Sequence, residues 1–191
     1  MNTSVSNYKN IYYPPGGILM WIIIYLELFT FGMALIAMVY YGKEEAESFH
    51  NSRLLLNTTY GMINTILLLS SGFFMAVTVN ELKKNKQQKA QKYLLVTMLF
   101  GLLFLGLKSI EYYDKVEAGL TMSYNTFFSF YWMLTLFHVI HVLVGLVILV
   151  SVYFGIKKKT TKLEDIEASA AFWHMCDLIW LLLFPIIYLF F

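Results

Sequence analysis

Charged residues are scarce in this chain of 191 residues: aspartate, glutamate, lysine and arginine together make up only 14% of it. Apolar residues make up 59%. Soluble domains usually carry about a quarter charged residues, so the composition excludes an ordinary soluble protein and indicates an integral membrane protein. The short alternating segments from which membrane β-barrels are built are also missing, which leaves helices as the spanning elements.

Cysteine and histidine are almost as scarce. Cys176 is the only cysteine and lies within an apolar segment, so no disulfide can form within the chain. The chain has four histidines, of which His50 lies in a polar stretch. No set of residues offers a complete metal site, and we therefore expect this chain to bind no metal and no redox cofactor.

Five long apolar segments account for most of the sequence. Each is long enough to cross a hydrocarbon core of about 30 Å as a helix. We predict an all-α, polytopic membrane protein, a bundle of five transmembrane helices in one domain (residues 17–191), after a polar tail (residues 1–16) with no removable signal peptide. The segments are residues 17–41, 54–79, 93–112, 127–154 and 168–191.

Lysine and arginine are distributed unevenly between the two sides of this predicted bundle. Ten of them fall in the tail and in the second and fourth loops, whereas the first and third loops hold three. Positive residues accumulate on the cytoplasmic side of a membrane protein. The count predicts a cytoplasmic amino terminus and an external carboxyl terminus.

The first two spans each carry a conspicuous polar residue. Glu27 lies about 14 Å along the first helix, near the middle of the membrane, either as a neutral carboxyl group bonded to a neighbouring helix or as a proton-active group with a charged partner. Asn64 is expected to form a hydrogen bond across helices. It lies among small residues spaced four apart, a pattern that lets helices approach closely.

The third and fourth spans carry four ionisable residues. Lys108 and Glu111 lie three apart near the outer end of their helix and can form an ion pair, with the lysine extending toward the membrane surface. His138 and His141 share one face of the fourth helix. The ordinary interpretation is that they form hydrogen bonds between helices; ligation of a haem would need a second helix, on which His174 is available.

The last span contains Trp173, Asp177 and Trp180 on one helical stripe, which we interpret as an interface with other helices. His174 and Asp177 are its only ionisable residues, and such groups inside a membrane usually face protein or water. We expect Asp177 to lie near His138 or His141. The acidic run that ends at Glu167 suits the positive end of this helix.

Taken in order, these signals resemble subunit III of haem–copper oxidases, in the short five-helix form. The resemblance extends from about residue 17 to residue 191. The most specific stretches are the two histidine motifs. The residues that carry the resemblance are Glu27, Asn64-Thr65 with Ser70-Ser71, Glu111-Tyr112-Tyr113, FHVIHVLVG (137–145) and EASAAFWHMCDLIW (167–180).

The resemblance implies an accessory subunit without redox chemistry of its own in the inner membrane of a bacterium. Such a subunit packs on the catalytic subunit I, holds phospholipid and supports proton uptake, while haem and copper reside in partner subunits. The positions that it implies to be important are Glu27, Glu111, His138, His141, Glu167, Trp173, His174 and Asp177. Four histidines and one cysteine are also too few for a haem–copper catalytic subunit or a dinuclear copper site.

Several other functions stay open from the sequence. The chain is also compatible with the equivalent subunit of a quinol oxidase, or with a protein associated with nitric-oxide reductase. A small haem b electron carrier could use His174 with His138 or His141. A proton or ion transporter could use Glu27 and Asp177, although matched inverted halves are not apparent.

Overall fold

The computed structural model describes residues 16–191, so the predicted tail and Lys9 lie outside the described residues, apart from Gly16. Five of its helices are long and apolar enough to cross a membrane, which confirms the prediction of five spans. The helices are α1 (Ile18–Glu44), α2 (Ala46–Leu54), α3 (Thr58–Lys83), α4 (Gln87–Glu117), α5 (Thr126–Lys158) and α6 (Leu163–Pro185), which continues as a π-helix (Ile186–Phe190).

Polar residues at the boundaries explain where these helices begin and end. Asn57 and Asn125 cap α3 and α5, since each side chain accepts a backbone N–H of the following turn, from Thr59 at 3.0 Å and Phe128 at 2.9 Å. Asp165 accepts the backbone N–H of Lys162 at 3.2 Å at the start of α6. The helices are longer than the apolar segments, since helical structure continues into the charged residues that flank them.

The short helix α2 was not predicted. Its sequence is polar, so it gives no signal of a membrane span, yet it is fixed to the bundle by specific contacts. The Asn125 side chain donates to the Ser52 hydroxyl at 2.6 Å, and the Arg53 side chain donates to the carbonyl of Tyr188 at 3.2 Å. Phe49 is buried against Phe127 and Phe191. This helix therefore closes one end of the bundle.

Helix α6 is the most deeply buried span: more than half of its apolar window is buried, against a third or less in the other spans. Glycines on the neighbouring helices make room for its large side chains. A Cβ atom added at Gly101 of α4 would lie 2.8 Å from the Trp173 ring, and one at Gly145 of α5 would lie 2.9 Å from it. Trp173 is therefore held between two helices that approach closely.

Consecutive spans run in opposite directions, so the loops at residues 84–86 and 159–162 lie at the same end of the bundle. Two contacts tie this end together. Gly16, with a φ of +81°, packs directly on Ala168 at the start of α6. Lys83 at the end of α3 forms an ion pair with Glu167 of α6 at 2.8 Å. We call this the lysine-rich end.

Candidate functional site

The most polar part of the interior surrounds Lys108 and Glu111 on α4. The Lys108 Nζ donates to Glu111 Oε2 at 2.9 Å, and the two side chains are 1% and 0% exposed. Tyr188 and Tyr131 donate their hydroxyls to Glu111 Oε1 at 2.6 and 3.0 Å. Lys108 also donates to the Tyr188 hydroxyl at 2.9 Å. These four residues form one satisfied network, which we call the Lys108 network.

Aromatic rings surround the Lys108 ammonium group. The rings of Tyr112, Tyr131, Trp180 and Tyr188 have centroids 5.0–5.6 Å from Nζ, a distance at which a ring face attracts a cation. The predicted ion pair is confirmed, but the prediction that Lys108 extends toward the membrane surface is wrong. A carboxylate, hydroxyls and four rings surround the ammonium and stabilise its charge in the interior of the bundle.

Glu27 of α1 and His141 of α5 form a second polar pair, between two of the helices that are long and apolar enough to cross a membrane. Glu27 Oε2 lies 3.1 Å from His141 Nε2, and both side chains are only partly exposed. His141 Nδ1 lies 2.7 Å from the carbonyl of Phe137. A carbonyl oxygen only accepts hydrogen bonds, so Nδ1 carries a hydrogen. The contact between Nε2 and Glu27 then needs one proton, carried either by Nε2 or by the carboxyl group. Glu27 thus has a partner on a neighbouring helix, and this contact fits both of its interpretations.

His138, one turn before His141, has a different environment. Its ring is completely buried, 5.3 Å from Trp180 and 5.7 Å from Phe104 between centroids. Neither ring nitrogen has a hydrogen-bond partner among the described residues. The prediction of a hydrogen bond between helices is therefore confirmed for His141 and wrong for His138, where aromatic rings occupy the neighbouring positions.

Trp173 and Trp180 connect α6 to α3 through hydrogen bonds. The Trp173 indole donates to Ser71 Oγ at 3.0 Å, and the Trp180 indole donates to Thr65 Oγ1 at 3.0 Å. Ser71 donates onward to the carbonyl of Thr97 on α4 at 2.9 Å. The predicted interface stripe is confirmed, and its hydrogen-bonding partner is α3. The sequence analysis did not identify the hydroxyl partners, because serine and threonine are common in membrane helices.

Asp177 lies on the same stripe, at Gly72 of α3, where an added Cβ would collide with its carboxylate. Its Oδ2 is 3.4 Å from His174 Nδ1, and its buried Oδ1 has no hydrogen-bond partner among residues 16–191. No ion pair or hydrogen bond between described side chains joins it to His138 or His141, so its position near one of them stays a prediction. The stripe turns the carboxylate toward α3, whereas His141 pairs with α1.

Two further predicted residues lie elsewhere in the bundle. Glu167 is buried and pairs with Lys83, so it does more than favour the start of α6. Asn64 is completely buried, but its side-chain oxygen and nitrogen have no hydrogen-bond partner within the described part of the chain. The hydrogen bond across helices that was predicted for Asn64 is therefore not formed. Within residues 16–191, no group of three or more histidine, cysteine, aspartate and glutamate side chains is placed to hold a metal ion.

The fold and these sites define a multi-pass helical membrane protein. The family model described as cytochrome c oxidase subunit III matches residues 19–191. A cytochrome c oxidase subunit 3 of Synechocystis sp. is 34% identical over 131 residues, which are 66% of this chain and 55% of that protein. The chain therefore belongs to the cytochrome c oxidase subunit III family, as the resemblance predicted.

Two other relatives differ in the complexes that their names describe. The cytochrome bo(3) ubiquinol oxidase subunit 3 of Buchnera aphidicola is 29% identical over 141 residues, covering 72% of this chain and 69% of that protein. A protein named heme-copper oxidase subunit I+III, from Aeropyrum pernix, is 26% identical over 179 residues, covering 89% of this chain but 22% of that protein. The match to the Synechocystis relative spans little more than half of that protein's length.

Replacing Lys108 with methionine should destabilise the protein by about 3–5 kcal/mol, because Glu111 would remain buried beside two hydroxyls without its cation. The double variant Lys108→Met/Glu111→Gln should recover part of this loss, because it leaves no buried charge in the network. Lys84→Met is the matched control: Lys84 lies 3.5 Å from Glu81 and half of its side chain is exposed, so little change is expected. Unfolding midpoints in detergent would measure all three variants. A Lys108→Met variant as stable as the parent protein would contradict the assignment of Lys108 and Glu111 as a stabilising buried ion pair.

Proposed function

We propose that this chain is an accessory subunit, without redox chemistry of its own, of a respiratory haem–copper terminal oxidase in a bacterial inner membrane. It packs on the catalytic subunit and supports assembly and sustained oxygen reduction there. Haem and copper belong to the partner subunits. The family match over residues 19–191 carries the proposal. The ionisable residues inside the bundle support it, because most of them are engaged with one another.

The relatives also indicate which complexes are candidates. One relative is named as a subunit of a cytochrome c oxidase, and another as a subunit of a ubiquinol oxidase. Both names fit an accessory role, because the partner subunits determine the electron donor. The name of the Aeropyrum relative joins subunits I and III, which supports subunit I as the direct partner of this chain.

An apolar groove between α1 and α5 supports the proposed binding of phospholipid. It encloses about 260 Å³ and is lined by Thr30, Phe31, Ala34, Met133, Leu134 and Phe137. An acyl chain is the occupant whose chemistry matches this lining. The groove shares Phe31 and Phe137 with the surroundings of His141, so a lipid there would cover the polar pair of Glu27 and His141.

Deleting this chain should leave the haem signals of the partner subunits largely intact and lower either the yield of the complex or the turnover that it sustains. The physical reason is that the chain is proposed to support the catalytic subunit rather than to hold its cofactors. Isolated membranes would be compared by haem spectra and by oxygen consumption over many turnovers. Loss of every haem signal from a catalytic subunit that still accumulates normally would contradict the proposed role.

The lysine-rich end is proposed to face the cytoplasm. A cysteine introduced at the exposed Gln88 should then be protected from a membrane-impermeant maleimide in intact cells, whereas one at the exposed Met122 should react. The native Cys176 is buried and gives a low background. Labelling of the residue 88 variant in intact cells would reverse the proposed orientation.

Glu27 is proposed to support proton uptake through the proton that it shares with His141. Glu27→Gln keeps a group that can contact His141 but cannot titrate, so the complex should assemble normally and its turnover should change in pH dependence. Glu27→Ala removes the contact and should also lower the yield. The exposed Glu47 supplies a matched control as Glu47→Gln. Full yield with an unchanged pH profile in both Glu27 variants would exclude this role.

A further inference from the structure

His174 is unusually exposed for an ionisable residue inside a membrane span. It lies about 9 Å beyond Ala168, where the apolar segment begins, yet 44% of its side chain is exposed. Its neighbours Trp173, Met175 and Cys176 are buried. An imidazole ring at this depth that faces acyl chains loses its hydrogen bonds to water without gaining others. The isolated chain therefore leaves a polar group uncovered where lipid covers it poorly.

The exposed face of α6 is otherwise apolar. Leu178, Leu181 and Leu182 are exposed and follow His174 at intervals of four, three and one residues, which places them on one side of the helix. We call these four residues the His174 stripe. On a helix that is mostly buried, the stripe is a narrow apolar surface with one polar position.

The polar position has unused hydrogen-bonding capacity. His174 Nδ1 is 3.4 Å from Asp177 Oδ2, and this contact uses one of the two ring nitrogens. Asp177 is mostly buried and its Oδ1 lacks a partner among residues 16–191. Gly72 lets the carboxylate lie close to α3. A second helix at this surface could satisfy the imidazole, and polar side chains commonly form such bonds between membrane helices.

We propose that the His174 stripe is the surface on which a transmembrane helix of the catalytic subunit docks, with a hydrogen-bonding side chain of that helix placed against His174. This inference rests on the proposed function. The catalytic subunit is the chosen occupant because one relative is named as a fusion of subunits I and III, and this chain matches it over 179 residues. Two parts of one chain stay close together in the membrane, which favours direct contact between subunits I and III.

Photo-crosslinking in the complete complex tests the location. A photoreactive amino acid replaces Leu178 in the stripe or, as a matched control, the exposed Leu102 of α4. Illumination of intact membranes should join the residue 178 variant to the catalytic subunit, whereas the residue 102 variant should give none of that product. A residue 178 product with lipid alone, with another small subunit or with a second copy of this chain would overturn the inference.

Substitution of His174 tests the polar contact separately. His174→Leu should lower the amount of catalytic subunit that copurifies by about fivefold to tenfold, the range expected when a hydrogen bond between membrane helices is lost. His174→Gln keeps a hydrogen-bonding group and should restore most of it. Equal recovery with leucine and glutamine, at unchanged amounts of this chain in the membrane, would overturn the proposed contact.

The two proposals fail in different ways. If the unaltered chain copurifies with no haem–copper subunit, the proposed function is wrong. If it copurifies normally but crosslinks through residue 102 and not residue 178, the function stands and the docking surface is wrong.

Discussion

The close approach of α6 to α3 is the contact on which the rest of the bundle depends. Two indole N–H groups of α6 donate to hydroxyls of α3, and Gly72 admits the Asp177 carboxylate between them. In hydrocarbon there is no water to satisfy these groups, so each bond ties the register of one helix to the other. Once α6 is fixed, Trp173 sets the distances to α4 and α5 through their glycines.

The number and order of the spans could be predicted because apolar segments of the required length are recorded directly in the sequence. Helix α2 could not be predicted, because it is polar and gains its order from contacts with residues far along the chain, such as Arg53 with the carbonyl of Tyr188. The lengths of the helices were also underestimated, since helical structure continues into charged residues that a hydropathy pattern assigns to loops.

Individual polar contacts were predicted less well than the residues that make them. Lys108 and Glu111 pair as their spacing indicates, but their burial depends on Tyr131 and Tyr188, which come from other helices. Helical periodicity places Asp177 on a face without revealing which helix covers that face. For the same reason, spacing predicts a contact for Asn64 and for His138, while the structure surrounds both with groups that do not bond to them.

The central position of α6 has a consequence for biosynthesis. Translation delivers this helix after the other four spans, so the earlier helices enter the membrane before the segment that completes their packing exists. During this interval Glu111 lacks the Tyr188 hydroxyl, Ser71 lacks the Trp173 indole and Gly101 faces a gap. These groups therefore remain without their partners until α6 has followed the earlier spans into the membrane, which makes the arrival of this helix the step that permits the bundle to close.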